Sequence, residues 1–259
     1  MKKLSIQIMA LYSVFGFASG VMAEDCKPAP DCADLGFTQN AADCSGAALK
    51  CPWNLTKAAC KAGEEEVQPT VCYVGSILGS DHLCYSYVDE LPDYVKPVGV
   101  VFDEANHLAV SLDQTQRTWV GYGKDVPTLR SCLDGLTCLT NGKQNTDAII
   151  NYGKANSVSY PAAEYCVAYK PSSVYKDETW YAAGAWFLPS MKELDTLYAN
   201  KAAVNAALTK VNATPLGNEY YWSSTERSDD YVWSLYMSDG ARYITGDSYN
   251  YYVRPVVKY

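Results

Sequence analysis

Residues 231–245, Tyr-Val-Trp-Ser-Leu-Tyr-Met-Ser-Asp-Gly-Ala-Arg-Tyr-Ile-Thr, read as a β-hairpin. Up to Met237 the residues alternate, with Trp233, Leu235 and Met237 on one side and Val232, Ser234 and Tyr236 on the other. That is the two-residue period of a strand with one apolar face. Ser238-Asp239-Gly240 supplies a tight turn, and Ala241 to Thr245 returns as the partner strand. Gly246-Asp247-Ser248 then turns into a final strand, Asn250 to Val257, where Pro255 predicts an edge or a bulge because it has no N–H for the ladder.

Upstream of this hairpin the periodicity changes. Asn145 or Thr146 can cap a helix carrying Ile149, Ile150 and Tyr152, and Ala162 to Tyr169 makes a second short one. Ser190 and Glu193 form a capping box after Pro189, followed by Leu194, Leu197 and Tyr198 on one helical face. Alanine-rich Lys201 to Val211 continues as a further helix until Pro215 and Gly217. Before these helices, Val71 to Leu78, Val98 to Phe102, Leu108 to Leu112 and Thr118 to Gly121 read as strands separated by Gly, Asp and Pro. Strands, then helices, then strands predict an α+β domain over residues 70–259.

The N-terminal part reads differently. Residues 1–23 have the form of a secretory leader, with Lys2 and Lys3, an apolar run from Ile6 to Ala18, and Val21-Met22-Ala23 before the cut. Residues 24–69 follow as a small cysteine-rich module and linker, with Cys26, Cys32, Cys44, Cys51 and Cys60 crowded among prolines and glycines. Gly63-Glu64-Glu65-Glu66 is the linker candidate. Ten cysteines in an exported chain, none spaced Cys-x-x-Cys, predict up to five disulfides, with Cys72 the nearest partner for the odd cysteine of the module. No segment after the leader approaches the ~20 apolar residues of a membrane span. The chain is therefore expected to be exported, at the cell surface or outside the cell, with the periplasm as the alternative.

Charge and motifs exclude several functions. Two of the 21 basic residues lie in the leader, so the mature chain with its 29 acidic residues carries a net charge near -10. Such a surface repels phosphate backbones, and nucleic acid is not an expected partner. The two histidines, His82 and His107, stand in loops without a motif, and no metalloprotease helix, phosphate loop or nucleophile elbow occurs. No catalytic residue, metal or other cofactor is expected. What stands out is that nine tyrosines lie between Tyr220 and Tyr259, interleaved with Ser, Asp, Asn and Gly. Binding loops use this alphabet because tyrosine gives rigid amphipathic contact area at little entropic cost.

Three phrases in order carry a resemblance: Trp186-Phe187-Leu188-Pro189-Ser190 with Glu193-Leu194, Tyr221-Trp222-Ser223-Ser224-Thr225-Glu226, and Tyr252-Val253-Arg254-Pro255-Val256. Together they resemble the C-terminal domain of collagen-like adhesins, the bacterial major paralogous domain, and variable proteins diversified by retroelements. The resemblance implies a C-type-lectin-like fold and places the recognition face between the second and third phrases, Arg227 to Tyr251. It also implies that Glu226 and Arg254 are an ion pair or hydrogen-bond anchor rather than catalytic groups. The formylglycine-generating relatives of that fold act through C-terminal cysteines, and none follows Cys166 here.

The sequence thus predicts an α+β, C-type-lectin-like domain preceded by a small disulfide-rich module. Its expected role is adhesion or ligand capture, with a cell-surface protein or glycan as partner. The candidate ligand-binding residues are Asp229, Asp230, Tyr231, Ser234, Tyr236, Arg242, Tyr243, Asp247, Tyr249 and Tyr251. The alternatives are a self-assembling surface protein, with the tyrosines packed between copies, and a secreted glycan hydrolase working through a carboxylate pair.

Overall fold

Short strands need cover for their apolar faces, and among the described residues of the larger unit two five-stranded sheets and four α-helices provide it. The computed structural model describes residues 72–86, 91–92, 95–121, 126–129, 132–171 and 179–259, together with the backbone of Cys26–Pro28 and Glu64–Glu66. The leader, and the cysteine-rich module apart from those two segments, lie outside the described residues. Contacts divide the chain into two compact units, the larger of which holds residues 69–259.

In the first unit, β1 (Cys26–Pro28) pairs antiparallel with β2 (Glu64–Glu66). The acidic run expected as linker is therefore a strand. The larger unit runs β3 (Ile77–Gly79), β4 (Cys84–Tyr85), β5 (Pro97–Asp103), β6 (Leu108–Ser111), β7 (Thr115–Arg117), then α1 (Gly142–Asn156), α2 (Pro161–Ala168), α3 (Met191–Ala199) and α4 (Lys201–Lys210). It ends with β8 (Tyr220–Ser228), β9 (Tyr231–Tyr236), β10 (Arg242–Gly246), β11 (Tyr251–Val253) and β12 (Val256–Lys258). One sheet has the order β10-β9-β8-β11-β7 and the other β12-β6-β5-β3-β4. The expected hairpin is β9 and β10, with Trp233 opposite Ile244 and Leu235 opposite Arg242.

Three buried clusters fill the unit. Trp233, Leu235, Met237 and Tyr221 from the first sheet meet Ile77, Val100 and Val110 from the second, with Leu194, Leu197, Val204 and Leu208 of α3 and α4. Trp222, Val232 and Val253, on the opposite face of the first sheet, pack under Ile149 of α1 and Ala162, Ala163 and Cys166 of α2. Leu78, Val98, Ala109 and Val257 cover the far face of the second sheet with Tyr169, Tyr181 and Trp186. Buried indoles need a partner for their N–H, and each finds a backbone carbonyl. Trp119 donates to Ser223 at 2.9 Å, Trp222 to Arg117 at 3.0 Å, Trp233 to Cys132 at 2.8 Å and Trp186 to Tyr181 at 2.8 Å.

Several local expectations are corrected. Helix α1 starts about a turn before Asn145, at Gly142, with the Asn141 side chain accepting from the Gln144 N–H at 3.0 Å. Asn145 and Thr146 are buried inside the helix, and their polar groups tie it to other segments instead: Asn145 donates to Leu139 O and Ser224 Oγ, and Thr146 Oγ1 bonds both N–H and C=O of Leu188. Of the strand expected at Val71 to Leu78 only the end forms, because Gly75 at φ +89° turns the chain first. Thr118 to Gly121 is irregular and β7 lies just before it. The final strand breaks at Arg254-Pro255, so that β11 joins one sheet and β12 the other.

The capping box forms as expected, Ser190 Oγ accepting from the Glu193 N–H and the Glu193 carboxylate accepting from the Ser190 N–H at 2.7 Å. The same carboxylate accepts from the Gly142 N–H at 3.2 Å, so it serves the N-termini of α1 and α3 together. Burial raises its pKa, against the lowering effect of these hydrogen bonds. Cys72 bonds Cys84 and Cys132 bonds Cys138, whereas Cys166 is a free buried thiol, which rules out five bridges. Desolvation pushes that thiol's pKa up, away from reactivity.

Candidate functional site

On β8, β9, β10 and β11 the residues Trp222, Val232, Thr245 and Val253 share the face covered by α1 and α2. Two residues further along β8, β10 and β11, and four along β9, the cover ends, and the positions on that face are Tyr220, Tyr243, Tyr251 and Tyr236. Alternation puts these rings on one surface. Tyr220 is the centre: its ring stacks on Tyr236 with centroids 4.5 Å apart and on Tyr251 at 4.9 Å, and meets the Tyr243 ring edge-on at 5.3 Å. Tyr251 continues to Trp222 at 4.7 Å and to Tyr249 at 5.8 Å. On the neighbouring β7, Arg117 faces the Tyr165 ring of α2 at 5.5 Å. Desolvation among the rings, with Tyr243, Tyr251 and Tyr236 adding, raises the Tyr220 phenol pKa.

The aromatic row does two jobs. Half-buried Tyr220, Tyr236 and Tyr251 brace the strands through cross-strand ring contacts, each worth roughly 0.5–1.5 kcal/mol beyond area burial. Tyr231, Tyr243 and Tyr249 remain 49%, 41% and 59% exposed. A Tyr220→Ala variant is expected to lose about 2 kcal/mol in urea unfolding, since three ring contacts go at once. Tyr249→Ala should stay within about 0.5 kcal/mol, as an exposed substitution.

The other predicted residues divide. Asp229 and Asp230 are exposed in the β8–β9 turn. Ser234, expected on the recognition face, is fully buried, and its hydroxyl is hydrogen-bonded to Thr245 at 2.8 Å. It is part of the sheet interior, because its small side chain lies between the larger Trp222 and Tyr243 of the neighbouring strands. Arg242 lies at the other end of the hairpin and pairs with Asp195 of α3 at 3.2 Å. Asp247, expected as exposed, is only 8% exposed. Its backbone explains this: the N–H donates to Asp230 O at 3.2 Å, and the carbonyl accepts from Trp119 at 2.9 Å.

Asp230, Tyr231, Asp247, Tyr249 and Tyr251 line one recess of about 540 Å³, with Ile244, Thr245, Gly246 and Ser248. Desolvation and then the nearby Asp230 charge raise the Asp247 carboxyl pKa. A second recess, of about 600 Å³, lies where α1 and α3 begin and mixes Lys143, Lys192 and Lys258 with Asp103 and Glu193. Nothing in the tyrosine pattern pointed to Tyr220 as the centre of the row, because its weight comes from the register of β8 between β9 and β11. Arg117 and Tyr165 were missed for a similar reason, being distant in sequence from the hairpin.

Glu226 and Arg254 do not pair with each other. Both Glu226 oxygens accept from the Val126 N–H, at 3.0 and 3.2 Å. Arg254, 1% exposed, donates to Ser111 O at 2.9 Å, Gln114 Oε1 at 3.1 Å and Thr214 O at 2.8 Å. Desolvation brings its pKa down to about 10, which leaves the guanidinium charged at neutral pH. Among the described residues, the one grouping of three metal-type ligands is Cys132, Asp134 and Cys138, and its two sulfurs are joined to each other. No helix among the described residues is long and apolar enough to cross a membrane.

Residues 130–257 match the family model described as the Lcl C-terminal domain. A crystal structure of a fimbrial protein from Bacteroides ovatus ATCC 8483 is similar in fold, with a TM-score of 0.53 and 16% identity over 72% of this chain. The chain spans about half, 49%, of the length of that fimbrial protein. A search of curated proteins finds no match.

Proposed function

We propose that this is an exported adhesion-type surface protein that captures a cell-surface protein or glycan on the tyrosine face of β8–β11. The observation that carries the reading is the uncovered row of Tyr243, Tyr236, Tyr220 and Tyr251, flanked by exposed Tyr231 and Tyr249. Exposed aromatics of this density are characteristic of recognition surfaces. The match to the Lcl C-terminal domain and the disulfides Cys72–Cys84 and Cys132–Cys138 among the described residues support a place outside the cytoplasm, at the surface or in the periplasm. In this reading the domain is C-type-lectin-like, and Arg227 to Tyr251 corresponds to the interval varied in retroelement-diversified proteins. The face binds without catalysis in this reading, and Glu193 and Glu226 of the first two family phrases serve the scaffold by accepting from backbone N–H groups.

The likeness to a fimbrial protein favours a second reading, in which copies of the chain assemble through the same rings. The test is binding of the oxidised chain to arrays of glycans and surface proteins, beside a variant with Tyr231, Tyr243 and Tyr249 all changed to Ser. Binding lost in the variant, with its unfolding midpoint close to the parent's, is the expected result. Binding unchanged by the three substitutions would overturn the proposal. Silence of both proteins, with concentration-dependent sedimentation abolished in the variant, would establish assembly instead.

A further inference from the structure

We infer that the recess beside the tyrosine row is a cation site that takes an alkylammonium or guanidinium group, presented as a lysine or arginine side chain by the protein bound to the face. The inference rests on the adhesive reading above and gives that face a ligand chemistry. Tyr231, Tyr249 and Tyr251 supply aromatic walls, Ile244 an aliphatic one, and Asp230 and Asp247 two carboxylates. Rings and carboxylates together are what a cation on an alkyl stem requires: the ring faces attract positive charge, and the carboxylates fix it.

Charge balance favours a cation over a neutral sugar. Asp247 lines the recess although only 8% of the residue is exposed, and Asp230 lies near enough to disfavour its ionisation. No lysine, arginine or histidine is among the described residues lining the recess, and no described cation pairs with Asp247. A desolvated negative charge next to a second one, without a counter-charge, gains most from a ligand that brings the missing charge. A sugar hydroxyl would leave both charges uncompensated. Calcium fits less well, since two carboxylates among aromatic and aliphatic walls fall short of the six to eight oxygens that ion takes.

The open side of the recess suits a side chain on a macromolecule. Tyr249 is packed over the end of β10, its Cε2 standing 3.5 Å from where a Cβ on Gly246 would be, and Tyr231 lies opposite Gly246 in the ladder. The rings therefore flank the strand end, and the row from Tyr251 to Tyr243 extends from it as a platform for the rest of the partner.

The test uses the oxidised full chain and two probes with identical stems, Nα-acetyl-lysine methylamide and Nα-acetyl-norleucine methylamide, followed by NMR titration. The lysine probe is expected to bind at least about tenfold more tightly than the norleucine probe. Asp230→Asn, an exposed substitution whose folding is not in question, is expected to weaken it by about tenfold, and Asp247→Asn by more. Equal binding of the two probes, no binding of the lysine probe, or its displacement by millimolar calcium would overturn the inference. Failure of the lysine probe while array binding persists and is lost in Tyr243→Ser would leave the adhesive face standing without the cation site. Array binding indifferent to Tyr243→Ser would instead remove the reading on which the site depends.

Discussion

Replacing Arg254 with methionine is expected to cost about 3 kcal/mol, read as a lower urea midpoint at unchanged slope. The substitution conserves much of the volume but leaves Ser111 O and Thr214 O without the Arg254 donor, and Gln114 Oε1 with the Tyr221 hydroxyl alone at 2.8 Å. Each buried acceptor left unmade costs roughly 1–3 kcal/mol. Against this stands the relief of a desolvated charge whose Nη2 makes no hydrogen bond. Two stranded carbonyls and one weakened amide outweigh one relieved cation, so the sign is destabilising. A loss below about 1 kcal/mol would show that desolvation dominates and that Arg254 is not the anchor of the strand break.

Gly142→Ala should be as damaging, although alanine is the better helix former. A Cβ there would stand 2.3 Å from Glu193 Oε2, 2.7 Å from Ser190 N and 2.8 Å from Leu188 O. The first neighbour could swing away, but the other two are backbone and cannot. Overpacking of this kind costs typically 1–3 kcal/mol, and losing the Gly142 hydrogen bond to Glu193 adds about 1 kcal/mol. The expected total is about 3 kcal/mol, or a thermal midpoint lower by roughly 6–12 °C. The double variant with Glu193→Ala tests the cause. If it recovered parental stability, the backbone contacts would not be the obstacle.

These two residues also show what could be read from the sequence. The hairpin, the capping box and the last three helices were legible because each is set by residues close together in the chain: alternation for β9, Ser190 with Glu193 for α3, Pro161 at the start of α2. The start of α1 was not, because Asn145 and Thr146 have capping side chains that tertiary partners claim instead. Pro255 marked an irregularity in the final strand, but the change of sheet there was not legible, since a run of Tyr, Val and Val is equally good in either sheet. The Trp-Ser-Ser-Thr-Glu phrase turned out to be scaffold. Ser223 Oγ donates to Trp233 O, Ser224 N–H donates to Pro189 O, and Thr225 Oγ1 accepts from the Met191 N–H.

Of the candidate site, the exposed tyrosines were legible from composition, and Ser234 and Asp247 were not. Ser234 alternates correctly with its neighbours yet is buried between Trp222 and Tyr243 with its hydroxyl bonded to Thr245, and Asp247 is drawn in by a turn that bonds Asp230 and Trp119. Periodicity tells which face a residue is on. It does not tell where along that face the covering helices stop, and here that limit divides the packed Trp222 and Val232 from the displayed Tyr220 and Tyr236.

The division of residues 251–258 between the sheets bears on when the molecule can fold. Tyr252 pairs with Gln116 and Tyr221, and Val256 pairs with Val110, so neither sheet has its full set of strands until this segment has been made. Pairings across such long stretches of chain repay their loop-closure entropy only when the remote strand arrives. Completion of both sheets in this unit therefore waits on one short segment, and a chain from which residues 251–258 are missing is expected to lack the cooperative unfolding transition of the whole.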